Sequence, residues 1–166
     1  MSEKDQNISK KEELSEGFLK FQKAMKNKTS SVSKLLNCHL LAEYFLEQII
    51  HISIKRGDIL LTEARPMFSL KLIIVKSLDV VDDSIITSIK HLNTVRNLCS
   101  HEMEYEITEA NIDLIGRPFG KDYTEIRNKK FDERLERVLM MVIARLEATY
   151  EFELNKSDRI PTSLLP

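Results

Sequence analysis

Apolar side chains recur at intervals of three and four residues along most of the chain, and this spacing predicts α-helices. The first helix is predicted to begin at Ser9, because Glu12 follows three residues later in the pattern of a capping box. A polar break at residues 27–30 separates it from a second helix, predicted over Ser31–Lys55. Gly57 is expected to end that helix, since glycine is common just beyond a helix C-terminus.

A third helix is predicted to start at Pro66, because proline suits the first turn of a helix, and to continue to Leu78. Residues 58–65 are predicted to connect it to the second helix. The segment Ile73-Ile74-Val75 is also typical of a strand. The flanking leucines and the absence of other strand candidates favour a helix.

The fourth helix is predicted to be capped by Asp82 or Asp83 and to end at His101. An acidic stretch with no compensating base follows it, formed by Glu102, Glu104, Glu106, Glu109 and Asp113. A short helix is predicted within this stretch, over Thr108–Ile115.

The last helix is predicted over Tyr123–Leu154, after a loop at residues 116–123 that contains one proline and two glycines. Residues 1–8 and 155–166 are expected to be flexible ends around a single helical domain at 9–154. The chain is therefore predicted to be all-α, a bundle of about five main helices.

The composition agrees with a folded domain and gives no general attraction for nucleic acid. The chain has 166 residues, of which 42% are hydrophobic and 31% charged, and its formal net charge is -1. Any RNA binding must therefore come from a local patch. The polar N-terminus lacks the apolar core of a signal peptide, and no apolar run approaches the roughly 20 residues of a membrane span. We expect a cytoplasmic protein that does not contact a membrane.

Six residues at the end of the fourth helix combine groups that suit phosphate chemistry: Arg96-Asn97-Leu98-Cys99-Ser100-His101. Arginine is permanently charged and matches phosphate geometry with a forked donor set. Histidine moves protons near neutral pH, and its place in the last helical turn, before acidic residues, favours the protonated form. Cleavage of an RNA phosphodiester requires such groups, although the same residues are also typical of an ordinary solvated helix end.

Arg96 and His101 are five positions apart, which places them about 140° apart around a regular helix. We therefore do not expect them to meet within one chain. They converge if the helix unwinds near Ser100, or if two copies of the helix pack across a two-fold axis. Asn97 lies one turn before His101 and is placed to orient the imidazole or a phosphate.

The segment from Leu92 to His101 resembles the signature of the HEPN superfamily, in which an arginine with a polar neighbour is followed after four to six residues by a histidine. The segment Leu41–Leu46 resembles the second helix of these proteins, where an acidic residue, here Glu43, often lies. In length and helix order the chain is similar to the mannitol-repressor-like group. The resemblance extends over Ser30–Leu154, and its specific part is the Arg-to-His motif.

The resemblance implies a homodimer in which two motifs face one another across a cleft and cut RNA without a metal or other cofactor. Arg96 would then stabilise the charge of the phosphorane, and His101 would protonate the leaving oxygen. Asn97 would orient the phosphate or His101, and Glu43 would pair with Arg96. The implied role is that of a toxin or defence protein, with RNA as target and a cognate antitoxin or regulatory protein as partner.

Some members of the superfamily are not nucleases, so a non-catalytic regulatory or interaction module of the same fold, such as a mannitol-repressor-like transcriptional regulator, is the alternative. The acidic stretch after His101 favours it, because negative charge repels a phosphate backbone. The nearest bases in sequence either line the cleft or face water: Arg117, Lys121, Arg127, Lys129 and Lys130.

The remaining candidate side chains are interpreted as structural. His39 lies on an apolar helix face and is expected in the core, whereas His51 and His91 are expected at the surface. Cys38 and Cys99 are predicted to be buried, reduced thiols. No Cys/His cluster has the spacing of a zinc site, so no metal is expected.

Overall fold

The computed structural model describes residues 30–101 and 104–156, together with Leu19, Phe21, Lys23 and Met25. This part of the chain contains helices and no strand, which confirms the all-α prediction. The helices are α1 (Ser31–Ser53), α2 (Gly57–Glu63), α3 (Phe68–Ser77), α4 (Asp83–His101), α5 (Glu109–Gly116), α6 (Lys121–Ile126) and α7 (Phe131–Lys156). A 3₁₀ turn over Arg117–Phe119 joins α5 to α6.

Side-chain caps explain why three helices begin close to their predicted positions. The Ser30 hydroxyl accepts a backbone N–H at the start of α1. The Asp82 carboxylate accepts the Ser84 N–H at 2.8 Å, so Asp82 is the cap of α4. Thr108 and Asn111 form a reciprocal capping box at the start of α5. These short-range bonds depend on local sequence, which is why a local pattern could predict where the three helices begin.

The predicted connection at residues 58–65 is largely helical, because α2 begins at Gly57. The chain returns there against the end of α1, and a Cβ on Gly57 would come within 2.5 Å of the Ile50 carbonyl oxygen. Glycine is therefore required for the close approach of two backbones. Gly57 begins a helix here instead of ending one.

The prediction of one continuous last helix over Tyr123–Leu154 is wrong. The structure has two separate helices there, α6 and α7. Residues 127–130 interrupt it with a turn, and Arg134 stabilises the interruption by donating from Nη1 to the Arg127 carbonyl at 2.6 Å. α7 also continues over residues 155–156, the first two of the predicted flexible tail.

The predicted loop at residues 116–123 is largely helical, because it contains the end of α5, the 3₁₀ turn and the first three residues of α6. Tertiary contacts hold this segment in place. The Tyr123 ring lies directly against Gly116, where a Cβ would come within 2.3 Å of the ring. Its hydroxyl donates to the Asp113 carboxylate. The predicted start at Ser9, residues 1–8 and residues 157–166 lie outside the described residues.

α1 lies at the centre of the bundle, where it packs against α7, α3 and α4. α1 and α7 run parallel: the Lys34 ammonium is 2.5 Å from Glu136 near their starts, and the Phe45 and Tyr150 rings are 6.0 Å apart further along. None of the helices in the described ranges is long and apolar enough to cross a membrane.

The orientation of α4 is set by its apolar side chains. Ile89, Leu92 and Val95 are fully buried in the common core. Burial of this stripe leaves the end of the helix at the surface, so that Asn97 and His101 are exposed. Packing of α4 therefore presents the Arg-to-His motif to solvent.

Candidate functional site

The motif lies on the last turn and a half of α4, and the helix stays regular there. Arg96 is half-buried, whereas Asn97, Ser100 and His101 are exposed. The Ser100 hydroxyl donates to the Arg96 carbonyl at 3.0 Å, which is a bond between successive helical turns. The unwinding near Ser100 that would bring arginine and histidine together in one chain is therefore absent.

The structure brings two of the three predicted catalytic residues together. Arg96 Nη1 donates to Asn97 Oδ1 at 3.2 Å. His101 is one turn beyond Asn97 on the same side of the helix, about 140° around the axis from Arg96. Among the described residues, no hydrogen bond or ion pair joins Arg96 to His101. One chain thus offers a guanidinium bound to an amide, and a separate imidazole.

Glu43, the fourth predicted site residue, is half-buried on α1 and does not pair with Arg96. Lys71 of α3 donates from Nζ to Glu43 Oε1 at 2.6 Å, and also to Glu47 one turn further along α1. The predicted Glu43–Arg96 pair is therefore wrong. The Lys71 side chain is only 10% exposed, so it requires a counter-ion, and α3 places it directly above the two carboxylates.

Lys71 stays charged because its carboxylate partners outweigh its burial. Burial lowers the pKa of Lys71, but the bonds to Glu43 and Glu47 together raise it above the usual 10.5. The pairing of the three groups stabilises the contact between α1 and α3. Lys71 was missed at the sequence level, although a single charge inside the apolar run Leu70-Lys71-Leu72 was the available signal.

His39 connects the motif helix to α3, and it is buried, as predicted. Its Nε2 is 2.9 Å from Asn93 Oδ1 on α4, and its ring stacks on Phe68 with centroids 4.0 Å apart. Burial lowers its pKa, the Asn93 bond and Glu43 act in the opposite direction, and Arg96 lowers it further. His39 therefore lies within the electrostatic reach of the motif, beneath the exposed surface.

The other structural predictions are confirmed in part. His51 and His91, expected at the surface, are both half-buried. Cys38 is fully buried and Cys99 is half-buried, and neither forms a disulfide. Burial raises the pKa of the Cys38 thiol strongly, so that it stays protonated.

We expect His39 to make stability depend on pH below neutrality. Because burial lowers its pKa below 6.5 in the folded protein, the unfolded chain binds the proton first as the pH falls. The contribution of His39 is complete above pH 6.5 and is lost below it. Urea unfolding at pH 7.5 and pH 5.0 should show the loss, limited to about 1.4 kcal/mol per pH unit for one proton.

A His39→Gln variant should reduce this pH dependence, whatever its effect on stability at pH 7.5. His91→Gln is the matched control: burial also lowers the pKa of His91, but this side chain is less buried and should account for a smaller part. An unchanged pH dependence in His39→Gln would show that His39 does not titrate between the two states.

Two of the five bases that the sequence places nearest the motif are paired elsewhere. Arg117 and Arg127 both lie within 3.8 Å of the Asp113 carboxylate. This end of α5 is fixed to the first half of α4, since the Ser88 hydroxyl donates to the Ile115 carbonyl at 2.7 Å. Ser88 is about 20 Å along the helix from the end of α4. These two bases therefore do not line the motif.

The acidic stretch is partly compensated, contrary to the prediction. Glu109 pairs with Arg134, and Asp113 is bound by Tyr123 and the two arginines. Glu104 and Glu106, the first acidic residues after the motif that the structure describes, are exposed. Among the described acidic residues of this stretch, Glu104 and Glu106 are therefore the ones that RNA at the motif would meet first.

Among the described residues, no group of three or more His, Cys, Asp or Glu side chains is arranged to hold a metal ion. No family model, curated protein or solved structure matches the chain.

Proposed function

We propose that the chain is a HEPN-like, metal-independent ribonuclease of the toxin or defence type, with a composite site completed by a second copy of the chain. The observation that carries this proposal is the placement of Arg96, Asn97 and His101 at the exposed end of one regular helix. The arginine and the histidine point to different sides of that helix, so a second copy is needed to bring them to one phosphate.

The chemistry follows from the side chains. Arg96 carries a permanent charge, and its bond to Asn97 holds the guanidinium ready to stabilise the charge that develops on the phosphate. The 2′-hydroxyl oxygen attacks phosphorus, so that the P–O2′ bond forms and the P–O5′ bond breaks. His101 protonates the leaving O5′ atom. The 2′-hydroxyl proton passes to water or to the imidazole of the second copy.

Cleavage of matched oligonucleotides tests this function. The purified protein is incubated in EDTA with an RNA strand and with the DNA strand of the same sequence. We expect the RNA to be cut to products with a 2′,3′-cyclic phosphate and the DNA to stay intact, because the nucleophile is the 2′-hydroxyl. Loss of cleavage in EDTA, or equal cleavage of both strands, would contradict the proposal.

The second candidate function is a non-catalytic regulatory or interaction module of the same fold. The exposed Glu104 and Glu106 directly after the motif favour it, because they disfavour an approaching phosphate backbone. This alternative is supported if the RNA strand stays intact while a protein partner, such as a cognate antitoxin or a transcriptional regulator, binds stably.

A further inference from the structure

α3 carries large apolar side chains on the side that faces away from the bundle as well as on the side that faces inward. Its inward side chains Phe68, Leu72 and Val75 are buried. On the solvent-facing side, three apolar residues spaced three positions apart are exposed, with these exposed fractions: Met67 (78%), Leu70 (48%) and Ile73 (60%). The exposed polar residues of α3 are Ser69, Lys76 and Ser77, so the apolar positions form a stripe along an otherwise polar outer side. Large apolar side chains that lie together at the surface are typical of an interaction site.

Leu40 of α1 extends this surface next to the first turn of α3. It is 64% exposed and adjoins His39, whose ring stacks on Phe68. We call Leu40, Met67, Leu70 and Ile73 the α3 apolar surface.

The α3 apolar surface adjoins the motif helix. His39 bridges the two, since its ring contacts Phe68 of α3 and its Nε2 bonds to Asn93 of α4. Arg96 follows Asn93 by less than one helical turn. Phe68 faces inward, but Met67 of the surface directly precedes it, so the surface begins next to the part of α3 that His39 joins to the motif helix.

The charges beside the surface do not oppose contact between two identical copies. Glu43 and Glu47 lie next to it, but both are bound by Lys71 within the same chain. An interface across a two-fold axis places the same patch on both sides, so an apolar patch with internally paired charges is self-complementary. A partner selected by charge would find no free row of carboxylates there.

The size of the surface indicates how far the contact must extend. The exposed fractions correspond to roughly 300 Å² of apolar area. A stable interface buries about 800 Å² on each partner. The α3 apolar surface is thus large enough for the centre of an interface but not for the whole, and the remainder must come from its neighbours, which include the end of α4.

We propose that a second copy of this chain covers the α3 apolar surface, so that the two surfaces pack about a two-fold axis and the two α4 ends lie in the same interface. This inference rests on the proposed function, which requires a second copy but does not say which surface binds it. It assigns that surface to α3 and Leu40.

Sedimentation equilibrium tests the assignment with Ile73→Glu and a matched control, Phe152→Glu. The two side chains are equally exposed, at 60% and 59%, but Phe152 is on α7, away from the surface. We expect a wild-type dimer, an increase of at least 100-fold in the dimer dissociation constant for Ile73→Glu, and no change for Phe152→Glu. Circular dichroism should show that both variants are folded.

The alternative outcomes separate the two proposals. A wild-type dimer that survives Ile73→Glu would overturn the assignment of the surface, while RNA cleavage by that dimer would leave the proposed function in place. A monomeric wild-type protein would overturn the assignment of the dimer interface to the α3 apolar surface. Binding of an unrelated protein to this surface of the monomer would overturn it as well. Cleavage of the RNA strand by the monomer would then refute the composite site.

Discussion

Substitution of His101 by alanine is expected to lower the rate of RNA cleavage by at least about 100-fold, the usual contribution of a positioned general acid. His101 is exposed at the end of α4, so its removal should not disturb the core. Arg96→Ala should have an effect of similar size, because the charge on the phosphate then loses its cation. Cleavage of the same RNA strand in EDTA, followed with a fluorescent label, measures both effects.

Mixing the two inactive variants tests whether the site is shared. If the guanidinium of one chain and the imidazole of the other act on the same phosphate, a mixed dimer contains one complete site and one site that lacks both groups. Half of the dimers in an equal mixture are mixed, so about a quarter of the wild-type activity should return. Sites contained within single chains would give no recovery.

His91→Ala is the control for this experiment, because His91 lies on the same helix but outside the motif. It should retain nearly full activity. If His101→Ala cleaves RNA as fast as His91→Ala and the wild type, His101 is not the proton donor and the proposed site is refuted.

Replacement of Lys71 by methionine is expected to lower the free energy of unfolding by about 3 kcal/mol, at the lower end of the range for breaking a buried ion pair. Methionine fills a similar volume but leaves Glu43 and Glu47, which are one turn apart on α1, as like charges without a counter-ion. The lower end applies because their side chains are 29% and 27% exposed and water screens them. Urea denaturation at pH 7.5 gives the value.

Two further variants show whether the effect comes from unpaired charge. Lys76→Met removes a lysine from the same helix, but its contact with Asp83 is 3.8 Å long and largely exposed, so the loss should stay below about 1 kcal/mol. Glu43→Gln and Glu47→Gln added to Lys71→Met should recover most of the stability. If Lys71→Met and Lys76→Met are equally stable, the buried triad does not hold α3 on α1.

The sequence predicted those helices whose limits depend on neighbouring residues. α1, α3, α4 and α5 were located to within a few residues, because apolar periodicity and the caps at Ser30, Asp82 and Thr108 are local signals. The separation of α6 from α7 was missed. Arg134 stabilises the break by donating to the Arg127 carbonyl, and although the two residues are only seven positions apart, apolar periodicity gives no signal for a bond from a side chain to a carbonyl.

The candidate site shows the same limit. The residues of the motif and its place at the end of α4 could be predicted from the spacing of Arg96 and His101. The partner of Glu43 could not be predicted, because Lys71 is 28 positions away and only the packing of α3 on α1 brings it near. The uncovered side of α3 was also invisible, since periodicity predicts a helix without saying which faces its neighbours leave open.

The parallel pairing of α1 with α7 has a consequence for how the protein holds together. Lys34 and Glu136 are 102 positions apart, so their contact closes a loop that contains most of the bundle, at an entropic cost of about 4 kcal/mol. α1 also carries His39, which bonds to Asn93 on the motif helix. Separation of these two helices would release the enclosed chain as one cooperative unit, and the contact of His39 with the motif helix would be lost with it.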